Sequence, residues 1–160
     1  MEKIRKYRLL LILTALLLCL SGCSNENASS GAASLEQSSA AAMIIPMDEL
    51  TAEPRFYDWN QNGTAMQLIA LKNSAGDVQL AYNTCQSCAG SPYAYFEYQN
   101  GVLVCQNCMN RFGLDSVGKV AGGCNPMPVT GYQLDGDQVT IPADALTKAA
   151  SSFRNWKVFR

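Results

Sequence analysis

The chain has 160 residues, seven cysteines, no histidine and a formal charge of −1. That length allows one domain with appendages. The charge falls to about −4 once residues 1–22 are set aside, because four of the twelve cations and one of the thirteen acids lie there, and this excludes the basic face that nucleic acid requires.

The chain opens on "MEKIRKYR", rich in Lys and Arg, followed by the short apolar run "LLLILTALLLCL". Charge, short apolar core and small residues are the order of a secretory signal, too short for a comfortable membrane span. It ends in "LSGC", the pattern of a bacterial lipobox. The expectation is cleavage before Cys23 and lipidation of its sulfur, anchoring the protein on the extracytoplasmic face of a bacterial membrane. The alternative is an uncleaved anchor helix. Residues 1–22 are thus the signal peptide, and 23–43 are the lipidated cysteine with a Ser/Ala-rich linker that has almost nothing to bury. The folded domain is expected over 44–160. No second hydrophobic span follows, which argues against a channel or permease.

From residue 44 the pattern is β-rich. "RFYDW" (55–59) alternates, "NQNG" turns, "TAMQLIALK" (64–72) reads as a strand, and "VQLAYNTC" (78–85) runs into a first C-x-x-C at Cys85 and Cys88. "YAYFEY" (93–98) and "VLVC" (102–105) flank Asn100-Gly101, the strongest short hairpin signal. A two-residue loop there pairs Gln99 with Val102 and Tyr98 with Leu103, and sets Phe96 opposite Cys105. The second strand runs into a second C-x-x-C, Cys105 and Cys108. A further hairpin is expected in 129–141, turning at Asp135-Gly136. Leu146, Ala149, Ala150 and Phe153 then recur at helical spacing, with Asp144 suited to the helix start. The fold expected is mainly β (α+β): a small antiparallel sheet, two strand-end C-x-x-C knuckles as in a zinc-ribbon or rubredoxin-like site, and one C-terminal helix. The C-terminal cations Arg154, Lys157 and Arg160 read as a solvated helix end.

With Cys19 in the signal and Cys23 lipidated, five cysteines remain for the domain. C-x2-C, sixteen residues, C-x2-C suits a four-thiolate metal site at Cys85, Cys88, Cys105 and Cys108. Two intervening residues let both sulfurs of a pair bind one ion from a tight turn, whose backbone N–H groups then point at the sulfurs. A hairpin between the pairs can bring the turns face to face. Without histidine there is no Cys2His2 zinc, Rieske centre, haem c attachment or histidine-dependent catalysis. Soft sulfur donors suit iron, an iron–sulfur cluster or zinc, with Cu(I) a minor option if Met109 or Met127 contributes a thioether. Arg111 and Lys119 are candidate counter-charges, or simply surface cations.

Two alternatives remain beside the metal. Disulfides within each C-x-x-C would close tiny strained loops and stabilise little. A redox dithiol needs its first cysteine at a helix N-terminus, whereas hairpin strands follow Cys88 and "CMNRFGLDSVG" is rich in turn formers. Cys124, in "AGGCNPMP", is a buried thiol, a substitute ligand or a nucleophile. No catalytic base or phosphate loop is visible, so a carrier or binding module is expected rather than an enzyme.

"LAYNTCQSC", "VLVCQNCMNRFGLDSVGKVAGGCNPMPV" and "VTIPADALTKAASSF" together resemble the membrane iron–sulfur-containing FtrD-like domain family, over roughly Phe56 to Phe153. The most specific part is the C-x-x-C followed by Arg-Phe, Ser-Val-Gly and Gly-Gly-Cys-Asn-Pro. The resemblance implies that Cys85, Cys88, Cys105 and Cys108 hold a cluster or metal, with Cys124 a further cysteine of the family. It also implies electron transfer in a ferrous-iron uptake system with an iron permease and a cupredoxin-like partner. A structural-zinc module is the alternative, and a C-x-x-C thiol–disulfide oxidoreductase the next. Two positions depart from the family: Met109 stands where a glycine is usual, and Asn83 where an acid is common.

Overall fold

A computed structural model describes residues 41–159. The expected signal, lipobox and most of the linker, together with Arg160, lie outside the described residues.

Among the described residues, ten strands form three antiparallel sheets. The central one takes β2 (Arg55–Gln61), β3 (Thr64–Lys72), β4 (Val78–Cys85) and β8 (Pro126–Pro128) in the order β2-β3-β4-β8. A second has β1 (Met43–Pro46), β10 (Gln138–Ile141) and β9 (Gln133–Asp135), ordered β1-β10-β9. The third runs β5 (Phe96–Gln99), β6 (Val102–Cys105) and β7 (Arg111–Gly113). Helix α1 (Ala143–Ala149) continues into a 3-10 turn, Ala150–Phe153. The mainly β fold with one short C-terminal helix is therefore as the sequence suggested.

Both faces of the central sheet are covered. Met66, Leu68 and Ala70 of β3 join Leu80 and Tyr82 of β4 in a core with β1, β10, α1, Phe153 and Trp156. The alternate residues, Ile69, Leu71, Ala81 and Cys85, face a second core with Phe96, Leu103, Cys105 and Val117. This is the period-2 geometry of a strand used on both sides. All eight residues of β4 are buried, and Cys85 ends it.

The hairpin register is the expected one: Gln99 opposes Val102, Tyr98 opposes Leu103, and Phe96 opposes Cys105. Asn100 and Gly101 have φ of 51° and 83°, as a primed two-residue turn demands. The strand expected from Tyr93 instead starts at Phe96, because the Ser91-Pro92 turn takes the preceding residues, with the Ala94 N–H donating to the Ser91 carbonyl. The last hairpin turns at Gly136-Asp137, one residue later than expected, since Asp135 pairs with Gln138.

The Ser-Val-Gly turn is anchored beneath the central sheet. Val117 is fully buried, and Gly118 (φ +75°) lies so close to β4 that a Cβ there would overlap the Leu80 carbonyl oxygen. This fixes the start of the loop that carries Cys124.

Candidate metal centre

Each cysteine pair sits where a buried strand ends and the chain must turn. At the first knuckle the Cys85 N–H donates to the Ala94 carbonyl (3.0 Å) and the Cys88 N–H closes back on the Cys85 carbonyl (3.2 Å). At the second, the Cys105 N–H donates to the Asn110 carbonyl and the Met109 N–H to the Cys105 carbonyl, both at 2.9 Å. The Gln106 N–H reaches across to the Tyr95 carbonyl (2.8 Å), and Ser91 Oγ donates to Asn107 Oδ1 (2.7 Å). The two turns face one another, as the hairpin between them predicts.

The sulfurs converge. Sγ atoms of Cys85, Cys88, Cys105 and Cys124 lie within 4.8 Å of one another, the Cys85 and Cys124 sulfurs 3.3 Å apart. Cys85 and Cys105 are fully buried; Cys88 and Cys124 are half-buried. Cys108 lies outside this four-sulfur set and is exposed, though its thiol interacts with Cys124, Cys105 and Cys88. The structure thus brings three of the four C-x-x-C sulfurs together with Cys124 and leaves the fourth at the rim. The donor set fits a soft ion. A tetrahedron of thiolates around one metal with bonds of about 2.3 Å has sulfur–sulfur edges of about 3.8 Å.

Cys124 arrives by a route that spacing does not reveal. The proline-flanked β8 pairs with β4 beyond an irregularity between Tyr82 and Cys85, with Pro126 opposite Cys85. Gln86, the first residue inside "CQSC", ties the loop down: its Nε2 donates to the Val120 (3.2 Å) and Pro126 (3.4 Å) carbonyls and its Oε1 accepts from Gly122 N–H (2.7 Å). Asn125 Nδ2 donates to the Gly122 carbonyl. Sequence reading passed over Gln86 and Asn107, the spacer residues of the two motifs, because both look like solvated turn residues.

The thiols differ electrically. Burial pushes Cys88 up to about 12, assisted by its hydrogen bond with Cys85 and opposed by Asn107. Burial, then hydrogen bonds with Cys108 and Cys85, raise Cys124 as well. Cys105 is also raised by burial, although the backbone N–H groups of Cys108 and Asn107 point at its sulfur and oppose that rise. Cys108 is lowered to about 7, chiefly by its hydrogen bond with Cys124, with help from the Asn110 backbone.

Around the sulfurs, Asn83 couples the two knuckles. Its Oδ1 accepts from Phe96 N–H (2.7 Å), and its Nδ2 donates to the Phe96 carbonyl (3.1 Å) and Gln67 Oε1 (2.7 Å). A carboxylate could not make the two donations, so an amide suits this position. Met109 has φ +62° and is 63% exposed, in the left-handed conformation a glycine would accept without strain. Met127 packs on the opposite core, its Sδ accepting from Ser152 Oγ at 3.7 Å, which turns it away from the thiols. Arg111 and Lys119 are exposed.

No curated protein matches the chain. Among solved structures, the quaternary ammonium Rieske monooxygenase CntA, crystallised with the inhibitor MMV12, aligns with 13% identity over 68% of this chain at a TM-score of 0.42. The alignment covers 33% of that enzyme, so the chain spans about a third of its length. The likeness is too slight to bear on fold or chemistry. The family described as "Membrane iron-sulfur containing protein FtrD-like" matches residues 51–153, which include both C-x-x-C pairs, Cys124 and α1. The match spans well over half of the chain, and the chain belongs to this family.

Proposed function

We propose that the domain holds a single iron ion in a thiolate site and serves as an electron carrier in a ferrous-iron uptake system, anchored outside the cytoplasmic membrane through lipid on Cys23. The observation that carries this reading is the approach of four Sγ atoms to within 4.8 Å of one another. A binuclear iron–sulfur cluster would spread its outer thiolates into two separated pairs, so the compactness favours one ion. Cys85, Cys88, Cys105 and Cys124 are the proposed ligands, with Cys108 beside them at the surface.

Thiolate-bound iron supplies a one-electron couple. The chain's own contribution is to bury that site under Phe96, Leu103 and Val117 and to aim the Asn107 and Cys108 N–H groups at the Cys105 sulfur. Backbone donors to sulfur and restricted solvent access are the means by which a protein sets such a potential. An iron permease and a cupredoxin-like protein are the proposed partners, by family resemblance.

Native protein prepared anaerobically is expected to contain about one iron per chain, with a thiolate-to-iron absorption that bleaches on reduction. One colourless zinc per chain would sink the electron-carrier reading in favour of a structural module. A second reading has one observation in its favour: an exposed thiol with a lowered pKa, Cys108, is what a dithiol oxidoreductase uses to attack. Metal-free native protein that exchanges with a defined disulfide through Cys108 would establish it.

A further inference from the structure

The loop that follows Cys88 is held from outside. Its own turns provide three backbone bonds, Ser91 N–H to the Cys88 carbonyl (3.0 Å), Ala94 N–H to the Ser91 carbonyl (3.1 Å) and Tyr95 N–H to the Tyr93 carbonyl (2.8 Å). Its outer edge is tied to the C-terminal segment instead. Asn155 Nδ2 donates to the Gly90 carbonyl (2.9 Å), and Lys157 N–H donates to the Pro92 carbonyl (2.9 Å). Tyr93 meets Phe159 with ring centroids 5.3 Å apart. A groove of about 430 Å³ separates much of the segment from the loop, so discrete bonds join them rather than continuous packing.

The segment has a firm base from which to do this. Trp156 is buried against Phe153 (5.4 Å) and Tyr95 (6.3 Å), and its Nε1 donates to the Asn83 carbonyl at 2.7 Å. Asn83 is also the residue that holds the Phe96 backbone. The Lys157 ammonium lies 4.5 Å from the Trp156 ring centroid and 4.8 Å from that of Tyr95. All of these ties come from residues 155–159, past Phe153, where the family match ends.

We propose that the segment Asn155–Phe159 is a clamp that positions the Cys88 loop, with Asn155 and Trp156 as positioning residues for the thiolate centre. A ligand on a surface loop must be ordered when an ion binds, and that ordering opposes binding. A loop already tied at Gly90 and Pro92 presents the Cys88 sulfur with most of that ordering done. The role at the metal rests on the single-ion reading, but the effect on Cys88 is measurable without any metal.

The test uses the full chain and Asn155→Ala, an exposed position whose truncation leaves both cores intact. In reduced, metal-free protein, alkylation of Cys88 by iodoacetamide, followed by mass spectrometry, is expected to quicken about two- to tenfold, the value of one lost hydrogen bond. Cys108 is expected to react at its wild-type rate. Asn155→Gln, which keeps the amide donor, restores part of the protection. Val158→Ala, which trims a side chain that lines the groove and keeps the backbone bond to Asn155, behaves as wild type. With Co(II) as the probe, EDTA is expected to strip the Asn155→Ala protein faster by a similar factor. Unchanged Cys88 reactivity, or an equal rise at Cys88 and Cys108, overturns the clamp. A selective rise at Cys88 without faster Co(II) loss overturns its role at the metal. Wild-type protein that takes up no Co(II) sinks the single-ion reading and leaves the alkylation result standing as evidence on the clamp.

Discussion

Met109 pays a conformational cost that a glycine would avoid. A left-handed φ strains a side chain with a Cβ, while glycine is freer in the unfolded chain. Met109→Gly is therefore expected to raise stability by about 0.5–1 kcal/mol, read as a higher urea midpoint at unchanged slope. Gly118 is the reverse case, with a left-handed φ and the Leu80 carbonyl in the way. Gly118→Ala should cost about 2–4 kcal/mol in the same assay. Asn83→Asp should cost about 1–3 kcal/mol, because a buried carboxylate would meet the Phe96 carbonyl and Gln67 Oε1 with nothing to donate. Met109 was legible beforehand, since the family resemblance sets a glycine at that place, next to a C-x-x-C knuckle. The fit of Asn83 was not, because its partners are 13 and 16 residues away in the chain.

At the scale of elements, the hairpin between the knuckles could be read residue by residue because Asn100-Gly101 admits one loop length and therefore one register. β1, β7 and β8 escaped notice for physical reasons. They have four, three and three residues, too few for an alternation to show, and β8 begins and ends in proline, which argues against a strand unless it lies at a sheet edge. β8 does lie at an edge, beside β4, and it carries Cys124 to the other sulfurs. The uncertain standing of Cys124 in the sequence follows from that one unseen pairing. Its consequence can be measured. Cys124→Ser is expected to weaken Co(II) binding on the order of a hundredfold, and Cys108→Ser less than tenfold, by competition with a chelator. Equal losses would mean that the rim thiol is a full ligand.

Across the whole molecule, the two cores have different dependence on the centre. The first is a continuous apolar cluster drawn from β1, β3, β4, β10 and α1, whereas the second is smaller and includes the thiols themselves. Removing metal should therefore speed amide exchange in β5–β7 more than in β1 and β10. Proton linkage acts at the same scale. Burial holds Cys88 near 12, so its thiol is protonated in the metal-free protein at neutral pH, and a bound ion must displace that proton. Apparent metal affinity should accordingly rise with pH, by about tenfold per unit for each proton released, and fall in acid. A titration in two buffers of different ionisation enthalpy would count the protons directly.

Cys85 ends β4, a strand whose eight residues are all buried, with a packed core on each side. A sulfur mounted there has little room to shift when the charge on its neighbours changes. Strain from any change of bond length would fall first on the half-buried sulfurs of Cys88 and Cys124, since Cys105 is as deeply buried as Cys85. In the proposed carrier, a centre suspended from two fixed sulfurs and two with more room would need little rearrangement to accept or give up an electron, and would resist losing its ion while doing so.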